Sequence, residues 1–260
     1  MLTVYLFGLI KKRRTVIEIY DIEIYDYVAE HFSEWFPELG SYQGYNRRLN
    51  RLSAVFAPLV GEALAEVDCE QTRKEAMRIA DSMPIMMAKQ KRSSQAKVAP
   101  QLADKGYCSS KDTHFYGVKM HVVANYRSGQ MPIPQRAGLT PGSEHDLTAL
   151  RRVLPHIEDG QIYGDKAYCD GPMKKRLSEE QNLDMLTPVK RKKGQERLSA
   201  AEKLFSEAVS RVRQPIESLF NWIDEKTGIQ CASKVRSYQG LLVHAFGRLA
   251  AAMLLLAFNP

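Results

Sequence analysis

Three acidic residues far apart in the chain, Asp81, Asp165 and Glu217, have surroundings that could carry chemistry. Asp165 follows Gln161-Ile162-Tyr163-Gly164, a short apolar run that stops at a glycine, and turn signals follow at Cys169-Asp170-Gly171. So short a run reads as a buried strand feeding a loop. In an open α/β sheet, ligands and metals collect outside the carboxyl ends of the strands, where Asp165 would sit. Asp170 belongs to the turn. Asp81, in Ala80-Asp81-Ser82-Met83-Pro84, also ends an apolar alternation, and Pro84 marks where ladder pairing must stop or reach an edge; Asp68 is its rival. Glu217 lies between Ile216 and Leu219-Phe220, so it is expected to be partly buried, and a buried glutamate needs a partner. Carboxylates crowded together repel and raise one another's pKa unless a cation neutralises them, so a converged set suits hard divalent ions, Mg²⁺ first. Two such ions about 3.5–4 Å apart clamp a scissile phosphate, one activating the attacking oxygen and the other stabilising the leaving oxygen. The chemistry expected is phosphodiester cleavage or strand transfer. Arg213, four residues before Glu217, would share its helix face and hold a phosphate or orient the carboxylate. Pro215 between them kinks that helix or restarts it as its first residue.

Composition bounds the setting of such a site. The 260 residues, 44% apolar, are enough for one large domain plus a small one. Thirty-seven Lys and Arg against thirty Asp and Glu leave +7, and the pI near 9.1 favours a polyanionic partner over an acidic small substrate. A merely basic soluble protein has the same composition. Cys69, Cys108, Cys169 and Cys231 are scattered without a CxxC pair, so neither a zinc cluster nor a disulfide framework is indicated, and a reducing cytoplasm fits. The apolar Met1–Ile10 precedes Lys11-Lys12-Arg13-Arg14, the reverse of a secretory signal. The uninterrupted apolar part of the tail, Leu249 to Phe258, is too short for a bilayer and reads as a buried terminal helix.

The elements that must position the carboxylates follow in order. Ile17-Glu18-Ile19-Tyr20-Asp21 is repeated at once as residues 22–26. Five residues is not a whole number of α-helical turns, so one copy is expected in an irregular lead-in and the second at the start of a helix running to Trp35. Ser41 caps a second helix through Leu52 towards Leu64, whose Tyr42, Tyr45, Arg47, Arg48, Asn50 and Arg51 are either a DNA-reading face or a solvated one. Strands are expected at Ala76–Ile85, His114–Asn125 and Met131–Leu139, with a long polar loop from Lys89 to Thr113. Glu144-His145-Asp146 opens a helix, with His145 in a capping or surface role. The Asp165 strand comes next, then a helix over Met173–Glu180 and a fifth strand over Asp184–Lys190. Helical stretches over Ala200–Lys226 and Tyr238–Phe258 complete the chain. The order β-β-β-α-β-α-β-α predicts an α/β ribonuclease-H-like fold: a five-stranded mixed sheet with flanking helices, preceded by a small helical region. In that fold the first and fourth strands lie side by side, which brings Asp81 to Asp165, and the helix after the fifth strand supplies Glu217. The boundaries expected are residues 1–66 for the helical region and 67–260 for the catalytic domain. The basic run Lys190-Arg191-Lys192-Lys193 either holds DNA phosphates or is a solvated loop.

Nearly the whole chain resembles the DDE transposases of bacterial insertion sequences, in the insertion-sequence-four-like group and closest to the insertion sequence nine-eighty-two family. The marks are Ser41-Tyr42-Gln43 through Asn46-Arg47-Arg48-Leu49, Asp81-Ser82-Met83-Pro84-Ile85, Phe115-Tyr116-Gly117-Val118-Lys119, Gly164-Asp165-Lys166-Ala167-Tyr168, and Arg213 through Glu217 with Phe220. The resemblance implies that Asp81, Asp165 and Glu217 hold two Mg²⁺ ions, replaceable by Mn²⁺. They would nick DNA at transposon ends and use the freed 3′-hydroxyl to attack target DNA. From their residue types, DNA contacts are expected of Arg47, Arg48, Arg51, Lys166, Lys190, Arg191, Lys192 and Arg213. The partners implied are terminal inverted repeats and target DNA, with a homo-oligomer on DNA, no membrane, and a cytoplasmic, nucleoid location. This chain departs from the group at Ser210, where a tyrosine is usual, and at Asp224, where a lysine is usual. Two alternative readings of this chain stand beside that one: a catalytically inactive or decayed DNA-binding relative, and a ribonuclease-H-like nuclease that cleaves without strand transfer.

Overall fold

The computed structural model describes residues 1–38, 40–67, 77–191 and 193–258. It is mixed α/β, and its strands form one six-stranded mixed sheet in the order β2-β3-β1-β5-β6, with β4 paired to β3. The strands are β1 Met77–Lys89, β2 Asp104–Cys108, β3 Thr113–Asn125, β4 Ile133–Pro141, β5 Gly160–Tyr163 and β6 Leu183–Leu186. The chain divides into two compact units: Met1–Val67 with Ile85–Gly117 and Trp222–Pro260, and Asp68–Pro84 with Val118–Asn221.

The second unit holds the candidate site. Its β1 segment pairs with β5 in parallel, Met77 opposite Gln161 and Ile79 opposite Tyr163. β5 pairs in parallel with β6, and β3 runs antiparallel to β4 from Val118 to Asn125. Helices α5 (Asp146–Val153) and α6 (Gly171–Gln181) cover the sheet. Ala80, Ile162, Leu183 and Met185 from the strands pack with Leu150, Leu154, Met173 and Leu177 into one buried cluster. At about 25 cal/mol per Å² of apolar surface buried, this cluster holds the strand ends in place. α7 (Ala200–Arg213) starts with a capping box, in which Ser199 and Glu202 satisfy each other's backbone N–H groups. α7 ends at Arg213, and α8 (Pro215–Thr227) starts on Pro215, which needs no amide hydrogen there. The helix restarts, as one of the two expectations had it.

The first unit is mainly helical. α1 (Leu2–Ile10), α3 (Tyr42–Arg51) and α4 (Phe56–Val67) pack against the terminal helix α9 (Tyr238–Phe258). The apolar tail forms the buried terminal helix expected; with the residues before Leu249 included, α9 is long and apolar enough to cross a bilayer by length and composition, and 67% of its apolar window is buried. It also carries buried polar groups. Arg248 donates to the carbonyls of Thr227 and Arg14 and, at 3.2 Å, to Nδ1 of His244, while Nε2 of His244 meets Ile229 O at 2.8 Å. Burial first, and then the Arg248 charge, pushes the His244 pKa down to about 3, so the ring is neutral and can accept on Nδ1 while donating from Nε2.

Several expectations are corrected. Both copies of the pentapeptide are helical: α2 runs through Val16–Glu18, a π-helical stretch Ile19–Val28, and Ala29–His31, ending short of Trp35. The second helix is interrupted by a 3₁₀ turn at Ser53–Val55. Among the described residues there are six strands instead of five, because β2 lies in the stretch read as a loop; it is short and mostly exposed, so it shows no apolar alternation, and its pairing with β3 defines it. β1 does not stop at Pro84. Its ladder with β5 ends at Ile79↔Tyr163, and the strand continues to Lys89, with Met86 bridging Cys231. β6 ends at Leu186, short of the expected Lys190, just before Pro188.

Candidate active site

The parallel register between β1 and β5 is what brings the two aspartates together. Each step along β1 is matched by one along β5 up to Ile79 and Tyr163, and two residues further on each chain carries its aspartate, Asp81 and Asp165. Gly164 is required between them, because a Cβ at that position would lie 2.8 Å from the Tyr168 ring packed beneath. Asp165 caps the short 3₁₀ turn Lys166–Tyr168, with Oδ1 accepting from the Ala167 amide at 2.6 Å. Tyr168 is 2% exposed and belongs to the buried cluster. Burial, reinforced by the nearby Asp81, Asp146 and Asp165 charges, raises its pKa well above the usual tyrosine range.

Glu217 is exposed, its side chain at 53%, where the sequence led us to expect partial burial: Ile216, Leu219 and Phe220 turn inward and leave it outside, and it joins the site through Arg213. The Arg213 guanidinium donates to Asp81 Oδ2 at 2.6 Å and to Glu217 Oε1 at 2.7 Å, with the arginine side chain only 18% exposed. The restart at Pro215 leaves these two residues one turn apart. Asp81 Oδ1 also accepts from its neighbour's amide, Ser82 N–H, at 2.8 Å. Burial nevertheless pushes the Asp81 pKa up to about 6; Arg213 and the Ser82 amide pull it down, while the Asp165 and Asp146 charges push it further up.

Asp146 was not picked out from the sequence as a site residue. As the first residue of α5, it accepts from Ser82 Oγ at 3.2 Å and from Lys119 Nζ at 3.0 Å. Lys119 also donates to Glu144 O at 2.9 Å. One place further along the same strand face, His121 Nε2 meets Thr140 Oγ1 at 2.7 Å, and its buried Nδ1 has no hydrogen-bond partner. Burial pushes the His121 pKa down to about 4. A lysine and a histidine two apart within the otherwise apolar stretch Val118–Ala124 were the available signal. Together these groups place acidic side chains around two internal cations, Arg213 and Lys119, at the ends of two parallel strands.

Hard carboxylate oxygens are the donor type that Mg²⁺ selects. Among the described residues, no three His, Cys, Asp or Glu side chains stand close enough together to hold a metal ion. Arg213 occupies the position between Asp81 and Glu217 as a cation of its own, and the fit to a hard cation rests on the donor type of the carboxylate oxygens alone.

The remaining residues singled out in the sequence lie on the surface. Arg47, Arg48 and Arg51 are exposed on α3, and Lys166 is exposed in the turn after Asp165. Lys190 and Arg191 are exposed, with Arg191 donating to Glu196 O at 3.3 Å; Lys192 lies outside the described residues. His145 caps α5, its Nδ1 accepting from Leu147 N–H at 3.3 Å. Asp224 supports the backbone: Oδ1 accepts from the Gln230 amide at 2.9 Å and closes the turn after α8.

A family model described as Transposase DDE domain matches residues 71–237, well over half of the chain. The chain belongs to this transposase family. No curated protein and no solved structure matches it. The transposase's Asp81, Asp146, Asp165, Arg213 and Glu217 all fall within the matched span. Membership assigns it to DNA transposition and recombination, with DNA as substrate and chemistry of the polynucleotidyl transferase or endonuclease class.

Proposed function

We propose that the transposase cleaves DNA at the ends of an insertion sequence and joins the freed 3′-hydroxyl to target DNA, with Asp81, Asp165 and Glu217 as its catalytic triad. The observation that carries this reading is the β1–β5 register, which gives Asp81 and Asp165 the same level on neighbouring parallel strands. The Arg213 bridge from Asp81 to Glu217 supports the third member. The strand order and the paired strand ends favour a ribonuclease-H-like catalytic domain, and the motifs favour the insertion-sequence-four-like group. The three carboxylates would hold two Mg²⁺ ions, or Mn²⁺ in their place. Bound there, such ions supply activation of an attacking oxygen and stabilisation of a leaving oxygen.

The chain's own groups do the rest. Arg213 orients the Asp81 and Glu217 carboxylates. Lys119 and Ser82 hold Asp146 beside Asp81. The Tyr168 ring packs against the Asp165 turn and fixes its backbone. Residues 1–66 are proposed as the end-binding region. Its Arg47, Arg48 and Arg51, together with Lys166, Lys190, Arg191 and Lys192, would grip phosphates and make binding fall steeply with salt. We assign the active form to a homo-oligomer on DNA in the bacterial nucleoid, with no membrane, since the apolar α9 is largely buried among the other helices.

The test uses the full chain, a plasmid carrying the element ends, and Mg²⁺ or Mn²⁺. Nicked and joined products are expected with the wild type and neither with Asp165→Asn, while end binding in EDTA persists. Full activity of Asp165→Asn would remove the site; cleavage without joined product would make the protein a nuclease.

A further inference from the structure

Two of the three carboxylates proposed to hold metal already hold a cation that belongs to the chain. The Arg213 guanidinium donates to Asp81 Oδ2 at 2.6 Å and to Glu217 Oε1 at 2.7 Å, and only 18% of its side chain is exposed. Charge-assisted hydrogen bonds of this length are the strong kind, and a guanidinium presents its donors in a fixed fork. The other internal cation does not compete for these oxygens, because Lys119 is engaged by Asp146 Oδ1 and Glu144 O. Asp165 stands apart from the bridge, its Oδ1 taken by the Ala167 amide.

A hard divalent ion draws on the same lone pairs. Mg²⁺ takes carboxylate oxygens at about 2.0–2.1 Å, and positive charge seated there would face the guanidinium across a shared oxygen in a site where water screens little. The two cations therefore exclude each other. With the bridge closed, no three His, Cys, Asp or Glu side chains among the described residues stand close enough together to hold an ion. The bridge also has a side on which it can open. Asp81 is 19% exposed and fixed by the Ser82 amide, whereas Glu217 is 53% exposed. Arg213 is the last residue of α7, and Pro215 has no amide hydrogen to continue the helix ladder past it. Once off the carboxylates, the same fork of donors matches a phosphate.

We propose that Arg213 is a built-in competitor for the metal. It closes Asp81 and Glu217 to divalent ions until a DNA phosphate takes its guanidinium, so that metal and DNA each tighten the other's binding. This rests on the carboxylate site assigned above, and its test reads binding instead of turnover. Mn²⁺ binding to the full chain without DNA is followed by electron paramagnetic resonance of the free ion. Arg213→Gln should bind Mn²⁺ about tenfold tighter than the wild type, an ordinary size for coupling between sites. Arg213→Lys, whose point charge cannot bridge both carboxylates, should fall between them, and it decides alone if Arg213→Gln loses helical circular dichroism. A guanidinium that merely steadies the carboxylates gives the opposite order, so variants that bind Mn²⁺ no tighter than the wild type would overturn the proposal. The DNA arm is fluorescence anisotropy of a short duplex from the element's end, in Ca²⁺ and in EDTA. Arg213→Gln should weaken duplex binding several-fold in Ca²⁺ and leave it near the wild type in EDTA, where the carboxylates hold the arginine; an equal loss in both would also overturn the proposal. Adding Asp165→Asn to Arg213→Gln should abolish the gain in Mn²⁺ affinity. A gain that persists would put the ions elsewhere and count against the triad itself, and this proposal would fall with it.

Discussion

Replacing Asp81 by asparagine tests the electrostatics of the site without any DNA. The Asp81 carboxyl titrates at about 6 in the folded protein against an ordinary value of 3.8, so the folded chain holds this proton more tightly than the unfolded chain does. The stability it contributes is complete below about pH 4 and is lost as the pH rises through about 6. At about 1.4 kcal/mol per pKa unit, ionising Asp81 costs the folded state about 3 kcal/mol at pH 8. The side chain is only 19% exposed, so solvent screening removes little of this. An asparagine in its place keeps the shape of the neutral form. Asp81→Asn is therefore expected to leave the protein unchanged at pH 4 and to stabilise it at pH 8 by about 3 kcal/mol, or about 5–10 °C in the melting midpoint for a unit of this size. The assay is thermal unfolding by circular dichroism in EDTA at several pH values, wild type beside variant. Adding Mg²⁺ at pH 8 should then raise the wild-type midpoint and leave the variant unmoved, by ligand linkage. An Asp81→Asn protein that is less stable at pH 8, or shifted equally at pH 4 and pH 8, would show that Asp81 is not held against its charge.

Two further substitutions probe the supports of the fold. Gly164→Ala drives a methyl group to 2.8 Å from the Tyr168 ring; about 1–3 kcal/mol of stability should go with it, and cleavage should fall through displacement of Asp165, whereas a variant with wild-type melting and turnover would deny the close packing. Arg248→Met strips the hydrogen bonds from Thr227 O and Arg14 O inside the helical unit. Leaving those buried carbonyls unpaired should cost about 2–5 kcal/mol, seen as a lower urea midpoint, and unchanged stability would mean that water or a shifted backbone replaces the arginine.

Asp81 and Asp165 were legible because each ends an apolar run, and a parallel pair of strands turns matching run ends into matching positions in space. The burial expected of Glu217 failed because Ile216, Leu219 and Phe220 take the buried face of the helix and leave Glu217 exposed; what was legible was its four-residue spacing from Arg213, which bridges it to Asp81. Asp146 escaped because an acidic residue opening a helix reads equally well as an ordinary first-turn carboxylate. Only the tertiary pairing with Ser82 and Lys119 marks it as part of the site. β2 escaped because a short exposed strand carries no apolar period; its hydrogen bonds to β3 define it, and the sequence of one strand does not contain them.

The tandem pentapeptide was misread for a reason that its structure makes plain. On an α-helix, five residues turn the chain by about 140° beyond a full circle, so the two copies would face different ways. In the π-helical stretch the closing hydrogen bonds span five residues, as the Ala29 amide reaching Ile24 O shows. Residues five apart then fall on nearly the same side. Ile19 and Ile24 are both buried, while Ile17 with Ile22 and Asp21 with Asp26 are all exposed; Tyr20 is buried but Tyr25 exposed, and Glu23 is buried but Glu18 only half-buried. The period of the repeat thus matches the bonding pattern of the helix at three of its five positions. Changing the period should change the helix: deleting one residue from a single copy would put Ile19 and its partner four apart, the spacing an α-helix buries. The Ile17–Ile22 face would then turn relative to Trp35, and tryptophan emission should shift while the helical content by circular dichroism stays the same.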